Sequence, residues 1–219
     1  MHSLETPRWI RFLERKIPFL AVPQIVILLL TLQGAGSLFV MIDPIWIQRL
    51  SLEPAQVLKG EFWRLIMFLA LPLSTSPIWI FFSLWFLYFV VTAIENEWGA
   101  FKTTLYVLVS VLLTIAFSFA FQYPIRQISG FESTLFLAAA TLFPEMDVQL
   151  FMVVPVKMKW LANLTLIFLL YQFAIGHWTD RFYLLAIYSN YFLFFGPALF
   201  YRVKQFYRKW KFKYLNKLD

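Results

Sequence analysis

The sequence predicts an all-α membrane protein, a polytopic bundle of six transmembrane helices with a short central fourth helix. Hydrophobic residues make up 61% of the 219 residues and charged residues only 14%, a composition typical of polytopic membrane proteins and not of soluble domains. Long apolar stretches recur along the chain. Aromatic residues reach 21%, and they suit lipid-facing and interfacial positions.

Composition also limits the chemistry that the chain can perform. The sequence contains no cysteine and only two histidines, His2 and His177. Disulfides, cysteine nucleophiles and thiolate or polyhistidine metal sites are therefore excluded. We expect no cofactor.

The net charge of +7 is concentrated at the C-terminus. Seven of the 19 basic residues lie within residues 202–219, directly after the last apolar stretch. A basic segment beside a membrane span acts as a topology signal and contacts anionic lipids. We therefore expect anionic lipids, and not nucleic acid, as the partner of this tail.

The apolar stretches divide the chain into three parts. These are a cytoplasmic N-terminal segment (residues 1–16), a membrane domain (residues 17–203) and a basic cytoplasmic tail (residues 204–219). The predicted spans cover about residues 17–42, 65–94, 101–121, 129–143, 160–175 and 182–203, the second of them interrupted by STSP at residues 74–77. Residues 144–159 carry charges and an alternating pattern, which predicts an extended or surface segment.

The fourth apolar stretch is too short to cross a bilayer by itself. Its uncharged part, residues 133–143, ends at Pro144. A helix rises about 1.5 Å per residue, whereas the hydrocarbon core is about 30 Å thick. Three small residues, Ala138 to Ala140, let neighbouring helices come close. We expect a central helix with a water-filled cavity at its start, where Glu132 lies.

Six spans place both termini on one side of the membrane. The segments on the side of the termini carry 14 Lys and Arg residues, and the opposite segments carry 5. Because Lys and Arg are enriched in cytoplasmic segments, both termini are predicted to be cytoplasmic. Short loops and the lack of cysteine fit a bacterial inner membrane.

Three motifs then occur in a characteristic order. They are Trp63-Arg64 after Gly60, Glu95 followed four residues later by Gly99, and LFPEMDVQLFMVVPVKMKWLA at residues 142–162. Together with six spans and a short central helix, these motifs resemble the rhomboid superfamily of intramembrane proteases and pseudoproteases. The resemblance covers roughly residues 55–205 and implies a rhomboid-like fold.

The catalytic positions of active rhomboids do not match. The family carries Gly-x-Ser-Gly at the start of the central helix, where this chain has Gly130-Phe131-Glu132-Ser133. The sixth span has no histidine, and the positions of the oxyanion donors fall near Trp79 and Ser83. A serine hydroxyl is a poor nucleophile without a base, and losing one oxyanion donor costs roughly 100- to 1000-fold. The resemblance therefore implies an inactive member, like the derlins and inactive rhomboids, which binds membrane-protein clients through a lateral opening and a locally thinned bilayer.

Four residues are candidates for contact with a client, namely Glu132, Ser133, Trp79 and Ser83. An ionisable group within a membrane is a functional hypothesis by default, and Glu132 could hold a polar group of a client helix. The simpler interpretation is a solvated acid in the first turn of a helix, which the helix dipole favours.

The remaining motif residues are expected to be structural. Arg64 is predicted to bond loop carbonyls, while Trp63 anchors in the membrane interface. Glu95 and Gly99 are expected to fix the turn after the second span.

Glycines and amides inside the spans suggest helix packing. Gly130 opens the motif of the central helix. Gly196, followed by proline, either lets the sixth helix bend and pack closely on the central helix or marks a simple kink. Asn163, Gln172 and Asn190 are expected to form interhelical hydrogen bonds.

Two other functions are open at this point. An intramembrane serine protease with non-standard residues would use Ser133 with His177, although an unpaired serine and an interfacial loop histidine explain these residues more simply. A small transporter would use Glu132, but the sequence shows no repeated half and almost no further charge within the spans.

Overall fold

The computed structural model describes the backbone of residues 8–150 and 154–215 and the side chains of residues 9–149 and 155–196. The chain is mostly helical, as predicted. In chain order the helices are α1 (Arg8–Lys16), α2 (Ile25–Ile42), α3 (Trp46–Leu50), α4 (Pro54–Val57), α5 (Arg64–Met67), α6 (Pro77–Trp98), α7 (Ala100–Phe121), α8 (Ser129–Leu142), α9 (Met158–Ile175) and α10 (Trp178–Leu215). Short 3-10 helices precede α2 (Pro18–Leu20) and follow α5 (Phe68–Ala70).

Four segments of the described chain are helical, long and apolar enough to cross a membrane. They are Pro18–Ile42, Pro77–Trp98, Ala100–Phe121 and Met158–Ile175. The predicted central helix is α8, and its 14 residues make it about 21 Å long, shorter than a hydrocarbon core of about 30 Å. The sixth predicted span forms part of α10.

The segment between α8 and α9 contains the two paired strands of the described residues. Strands β1 (Asp147–Leu150) and β2 (Val154–Lys157) pair antiparallel, with Val148 opposite Val156. We call residues 144–157 the hairpin segment. This is the region for which the sequence predicted an extended or surface segment. The residues between the strands, 151–153, lie outside the described residues.

Two sets of contacts define the ends of the helical bundle. At the Gln24 end, the backbone N–H of Gln24 donates to Glu95 Oε1 at 2.7 Å, which joins the start of α2 to the end of α6. At the opposite Leu52 end, Leu52 and Ile125 form a β-bridge between the segments that follow α2 and α7. Between these ends, α8 packs against α6, α9 and α10, and α7 packs against α6 and α10.

Both terminal segments contribute residues to helices. Residues 8–16 of the predicted N-terminal segment form α1, in which Ile10 is only 2% exposed. The predicted boundary at residue 204 falls inside α10, whose backbone stays helical to Leu215. Residues 1–7 and 216–219 lie outside the described residues.

Candidate functional site

An open groove of about 490 Å³ lies between the start of α6 and the hairpin segment. Its wall combines one stretch before α6, one face of α6 and strand β1. The lining residues are Leu73, Ser74, Trp79, Phe82, Ser83, Trp85, Phe86, Val148 and Gln149. Because most of these side chains are apolar or aromatic, the groove suits an apolar segment with few polar groups.

The sequence of α6 explains why aromatic residues line this groove. Pro77 is the first residue of α6, a position that favours proline because its fixed φ suits the first turn. Trp79, Ser83 and Phe86 follow at spacings of four and three residues, so they share one face of the helix. Trp79 is 51% exposed, and the Ser83 hydroxyl donates to the Ile80 carbonyl at 2.9 Å.

The hairpin segment closes the other side of the groove and is held at its base by ion pairs. Val148 of β1 is buried, whereas Gln149 is exposed. Glu145 accepts hydrogen bonds from Lys157 Nζ at 2.9 Å and Lys159 Nζ at 2.7 Å. These bonds lower the pKa of Glu145 to about 2, and the same carboxylate raises the pKa of Lys157.

Glu132 does not line the groove but bonds to a neighbouring helix. Gln33 Nε2 of α2 donates to Glu132 Oε1 at 2.7 Å, and Gln33 is itself only 3% exposed. The pair therefore joins α2 to the first turn of α8. Gln33 was not singled out from the sequence, although an amide within an apolar span was a signal that could have found it.

Ser133 likewise bonds to a helix and not to the predicted histidine. Its hydroxyl donates to the Gly130 carbonyl at 2.9 Å and pairs with the Tyr188 hydroxyl of α10 at 2.5 Å. His177 is exposed in the turn before α10, where its backbone N–H donates to Asp180 Oδ2. Within the described chain, Ser133 and His177 share no hydrogen bond.

Further hydrogen bonds fix α8 between α7 and α10. The Tyr106 hydroxyl donates to the Thr134 carbonyl at 3.0 Å, and the Thr141 hydroxyl pairs with Tyr191 at 2.6 Å. Asn190, for which an interhelical bond was expected, donates to the Tyr106 carbonyl and to Ser110 Oγ. The start of α8 is thus a structural junction of four helices, α2, α7, α8 and α10.

The remaining two amides behave differently. Asn163 and Gln172 both lie on α9 and are exposed, with no interhelical hydrogen bond among the described residues. Any interhelical bond to these amides would therefore need a partner outside the described chain.

The first motif pair, Trp63 and Arg64, lies in the loop at the Leu52 end. Arg64 is 7% exposed, and its Nη1 donates to the carbonyls of Gln48 at 2.6 Å and Ser51 at 2.8 Å. Its Nε pairs with Glu61. Trp63 is 54% exposed. Arg64 therefore holds together the loop between α2 and α6, as a structural role requires.

The second motif pair, Glu95 and Gly99, lies at the Gln24 end. Glu95 accepts the Gln24 N–H described above. Gly99 has a φ of +80°, in the turn that joins α6 to α7. Glycine adopts this left-handed conformation without the strain that a side chain would cause.

The two remaining glycines occupy different surroundings. A methyl group on Gly130 would lie 2.9 Å from Ile187 Cδ1, so α8 and α10 approach closely there. No described atom lies within 4 Å of the same position at Gly196. A close approach of the central and sixth helices was one expectation for Gly196, but it occurs at Gly130.

The described residues contain no group of three or more His, Asp or Glu side chains that could hold a metal ion. Comparison with known proteins finds no matching family model, no matching curated protein and no matching solved structure. The function must therefore be inferred from the residues of this chain.

Proposed function

We propose that this protein is a catalytically inactive, six-span membrane protein with a rhomboid-like arrangement, and that it binds membrane-protein clients within the bilayer. In this proposal α8 is the fourth span and the apolar part of α10 is the sixth. Both termini face the cytoplasm of a bacterial inner membrane, and residues 204–219 contact anionic lipids.

The observation that carries this proposal is the groove beside α6. It is open, it is lined mainly by apolar and aromatic side chains, and Trp79 and Ser83 both belong to its wall. Strand β1 lines the groove, and its partner strand β2 leads directly into α9. An apolar client helix would bury its side chains along this surface.

The exposed amides of α9 indicate what such a client would carry. A side-chain amide in hydrocarbon lacks the water that would satisfy it, and interhelical hydrogen bonds from Asn or Gln contribute about 0.6 to 2 kcal/mol in membranes. Asn163 and Gln172 are exposed on a helix that is mostly apolar. A client helix with a polar residue would pair with one of them.

The bonding of Ser133 favours client binding over hydrolysis. A tyrosine hydroxyl has a usual pKa of about 10, so Tyr188 is a poor base for activating a serine at neutral pH. Glu132 is likewise engaged with Gln33. We therefore assign these residues to the packing of α8 and assign client contact to Trp79 and Ser83.

The test is photo-crosslinking in the membranes of the source cell, with a photoreactive amino acid at Trp79. The matched control carries the probe at Leu112 of α7, since these two side chains are 51% and 55% exposed. We expect discrete membrane-protein adducts from position 79 and only lipid adducts from position 112.

A second variant connects these adducts to the groove. Ser83→Trp fills the groove, and we expect it to reduce the adducts by about tenfold, equivalent to about 1.4 kcal/mol of lost binding. Lipid adducts alone from position 79, or adducts that Ser83→Trp leaves unchanged, would overturn the proposal. Labelling of Ser133 by a fluorophosphonate would favour the protease, and ion flux abolished by Glu132→Gln would favour the transporter.

A further inference from the structure

Helix α1 is fixed to the bundle by one apolar face. Ile10 is 2% exposed, and Trp9 and Leu13 pack against the core. The Trp9 ring meets Phe194 of α10 edge-on, with a centroid distance of 5.4 Å. Helix α1 is therefore a docked part of the fold.

The other faces of α1 combine exposed basic and exposed apolar side chains. Arg11, Arg15 and Lys16 are exposed. Phe12 is 59% exposed, and Lys16 Nζ lies 5.4 Å from the centre of its ring. Beyond the end of the helix, Phe19 is 81% exposed. Exposed phenylalanines beside basic residues are typical of helices that lie in a membrane interface.

The position of α1 along the chain requires it to lie at the membrane surface. It ends at Lys16, and the first segment that is long and apolar enough to cross a membrane begins at Pro18. Only one residue separates the two, so α1 cannot leave the boundary between lipid and water. Its basic side chains therefore lie at the level of the lipid headgroups.

We propose that α1 is an interfacial helix that binds anionic phospholipids. Arg11, Arg15 and Lys16 contact the phosphate groups, and Phe12 and Phe19 enter the acyl boundary. The only acidic residue of α1 is Glu14, so its charge is complementary to an anionic surface. This inference is independent of client binding and concerns a different segment of the chain from residues 204–219.

The first experiment measures how deeply α1 lies in the bilayer. Because the chain has no cysteine, a nitroxide spin label can be placed on full-length Phe12→Cys and Glu14→Cys without background. With 3.6 residues per turn, these positions lie on opposite flanks of α1. We expect oxygen to reach the label at position 12 and a water-soluble nickel complex to reach the label at position 14. Water accessibility at both positions would overturn the proposal.

The second experiment tests the preference for anionic lipid. The variant Arg11→Ala/Arg15→Ala/Lys16→Ala is compared with Arg49→Ala/Lys59→Ala/Arg126→Ala, which removes the same charge from exposed residues of the Leu52 end. Retention of phosphatidylglycerol over phosphatidylcholine is measured by native mass spectrometry. One basic residue near an anionic surface contributes about 1 kcal/mol, or about fivefold, so we expect the α1 variant to lose about fivefold or more.

The control variant separates α1 from the net charge of the protein. We expect it to keep the lipid preference of the unaltered chain. An equal loss in both variants would mean that net charge alone attracts the lipid, and it would overturn the proposal. If the accessibility of the spin label at position 12 changed with the protein-to-lipid ratio, the partner of α1 would be a second copy of this chain. That result would also overturn the proposal.

Discussion

Helices α8 and α9 follow each other in the chain and differ sharply in burial. In α8, 8 of the 14 residues are buried. In α9, Met158 is the only buried residue of 18, and most of the large apolar side chains of this helix are exposed. Both helices are rich in apolar residues, so hydrophobicity alone does not explain the difference.

Residue size and hydrogen bonding explain the difference in burial between α8 and α9. The three consecutive alanines of α8 are nearly or fully buried, and small residues allow neighbouring helices to come close. Side chains of α2, α7 and α10 also bond to the first two turns of α8. Helix α9 has larger side chains, and its amides bond to no other helix within the described chain. We call α2, α7, α8 and α10 the packed side, and the groove, the hairpin segment and α9 the open side.

The largest expected effect comes from adding volume to the packed side. A methyl group on Gly36 of α2 would collide with the backbone carbonyl of Ala70. Overpacking a core usually costs about 1 to 3 kcal/mol. A backbone carbonyl cannot relieve the clash by changing rotamer, as a side chain can. We expect Gly36→Ala to lower the free energy of unfolding by about 3 kcal/mol, as measured by denaturation in detergent.

Gly34 of the same helix provides the control, because nothing lies within 4 Å of a methyl group there. Alanine is the better helix former by about 1 kcal/mol, so Gly34→Ala should be neutral or slightly stabilising. Equal destabilisation by both variants would mean that the contact between α2 and Ala70 is not tight.

A smaller effect on the free energy of unfolding is expected when an asparagine is replaced on each of the two sides. Asn190 is fully buried and bonds to α7, whereas Asn163 is exposed on α9. We expect Asn190→Leu to lower the free energy of unfolding by about 1 to 2 kcal/mol and Asn163→Leu to leave it within about 0.5 kcal/mol. Urea or detergent denaturation followed by circular dichroism measures both. A larger loss from Asn163→Leu would place α9 on the packed side.

The features that the sequence predicted are local ones. A high apolar content predicts membrane helices, a stretch of 11 uncharged residues ending at Pro144 predicts a short helix, and alternation predicts the extended segment. These patterns depend on neighbours in the chain, so periodicity and length reveal them. The docking of α1 on α10 was missed, because an amphipathic helix does not specify which surface its apolar face will cover.

The candidate site was less predictable, because its contacts join distant parts of the chain. Glu132 and Gln33 are 99 residues apart. Nothing in the local pattern around Glu132 distinguishes a side chain that bonds to α2 from one that faces a cavity. Trp79 and Ser83 do share the groove, yet its opposite wall comes from Val148 and Gln149, which no spacing rule connects with α6.

The smallest expected effect concerns the hairpin segment, which should respond to acid before the packed side does. Glu145 is ionised and paired with two lysines, and its pKa falls from 4.5 to about 2. A carboxylate with a lowered pKa contributes stability that is complete above its unfolded pKa and is lost as the pH falls through its folded pKa. The contribution of Glu145 should therefore disappear between pH 4.5 and about 2. Because these side chains are exposed, salt should weaken it further.

A nitroxide label on Gln149→Cys reports this change directly, since Gln149 is exposed on β1 beside the groove. We expect the label to become more mobile over that pH range while the helical circular dichroism of the packed side stays constant. In Glu145→Gln the label should already be mobile at neutral pH and should not respond to acid. If the label in Glu145→Gln showed the same acid transition, another group would control the hairpin segment. Loss of helix at the same pH would mean that the two sides unfold together, and the distinction between a packed and an open side would then hold for contacts but not for stability.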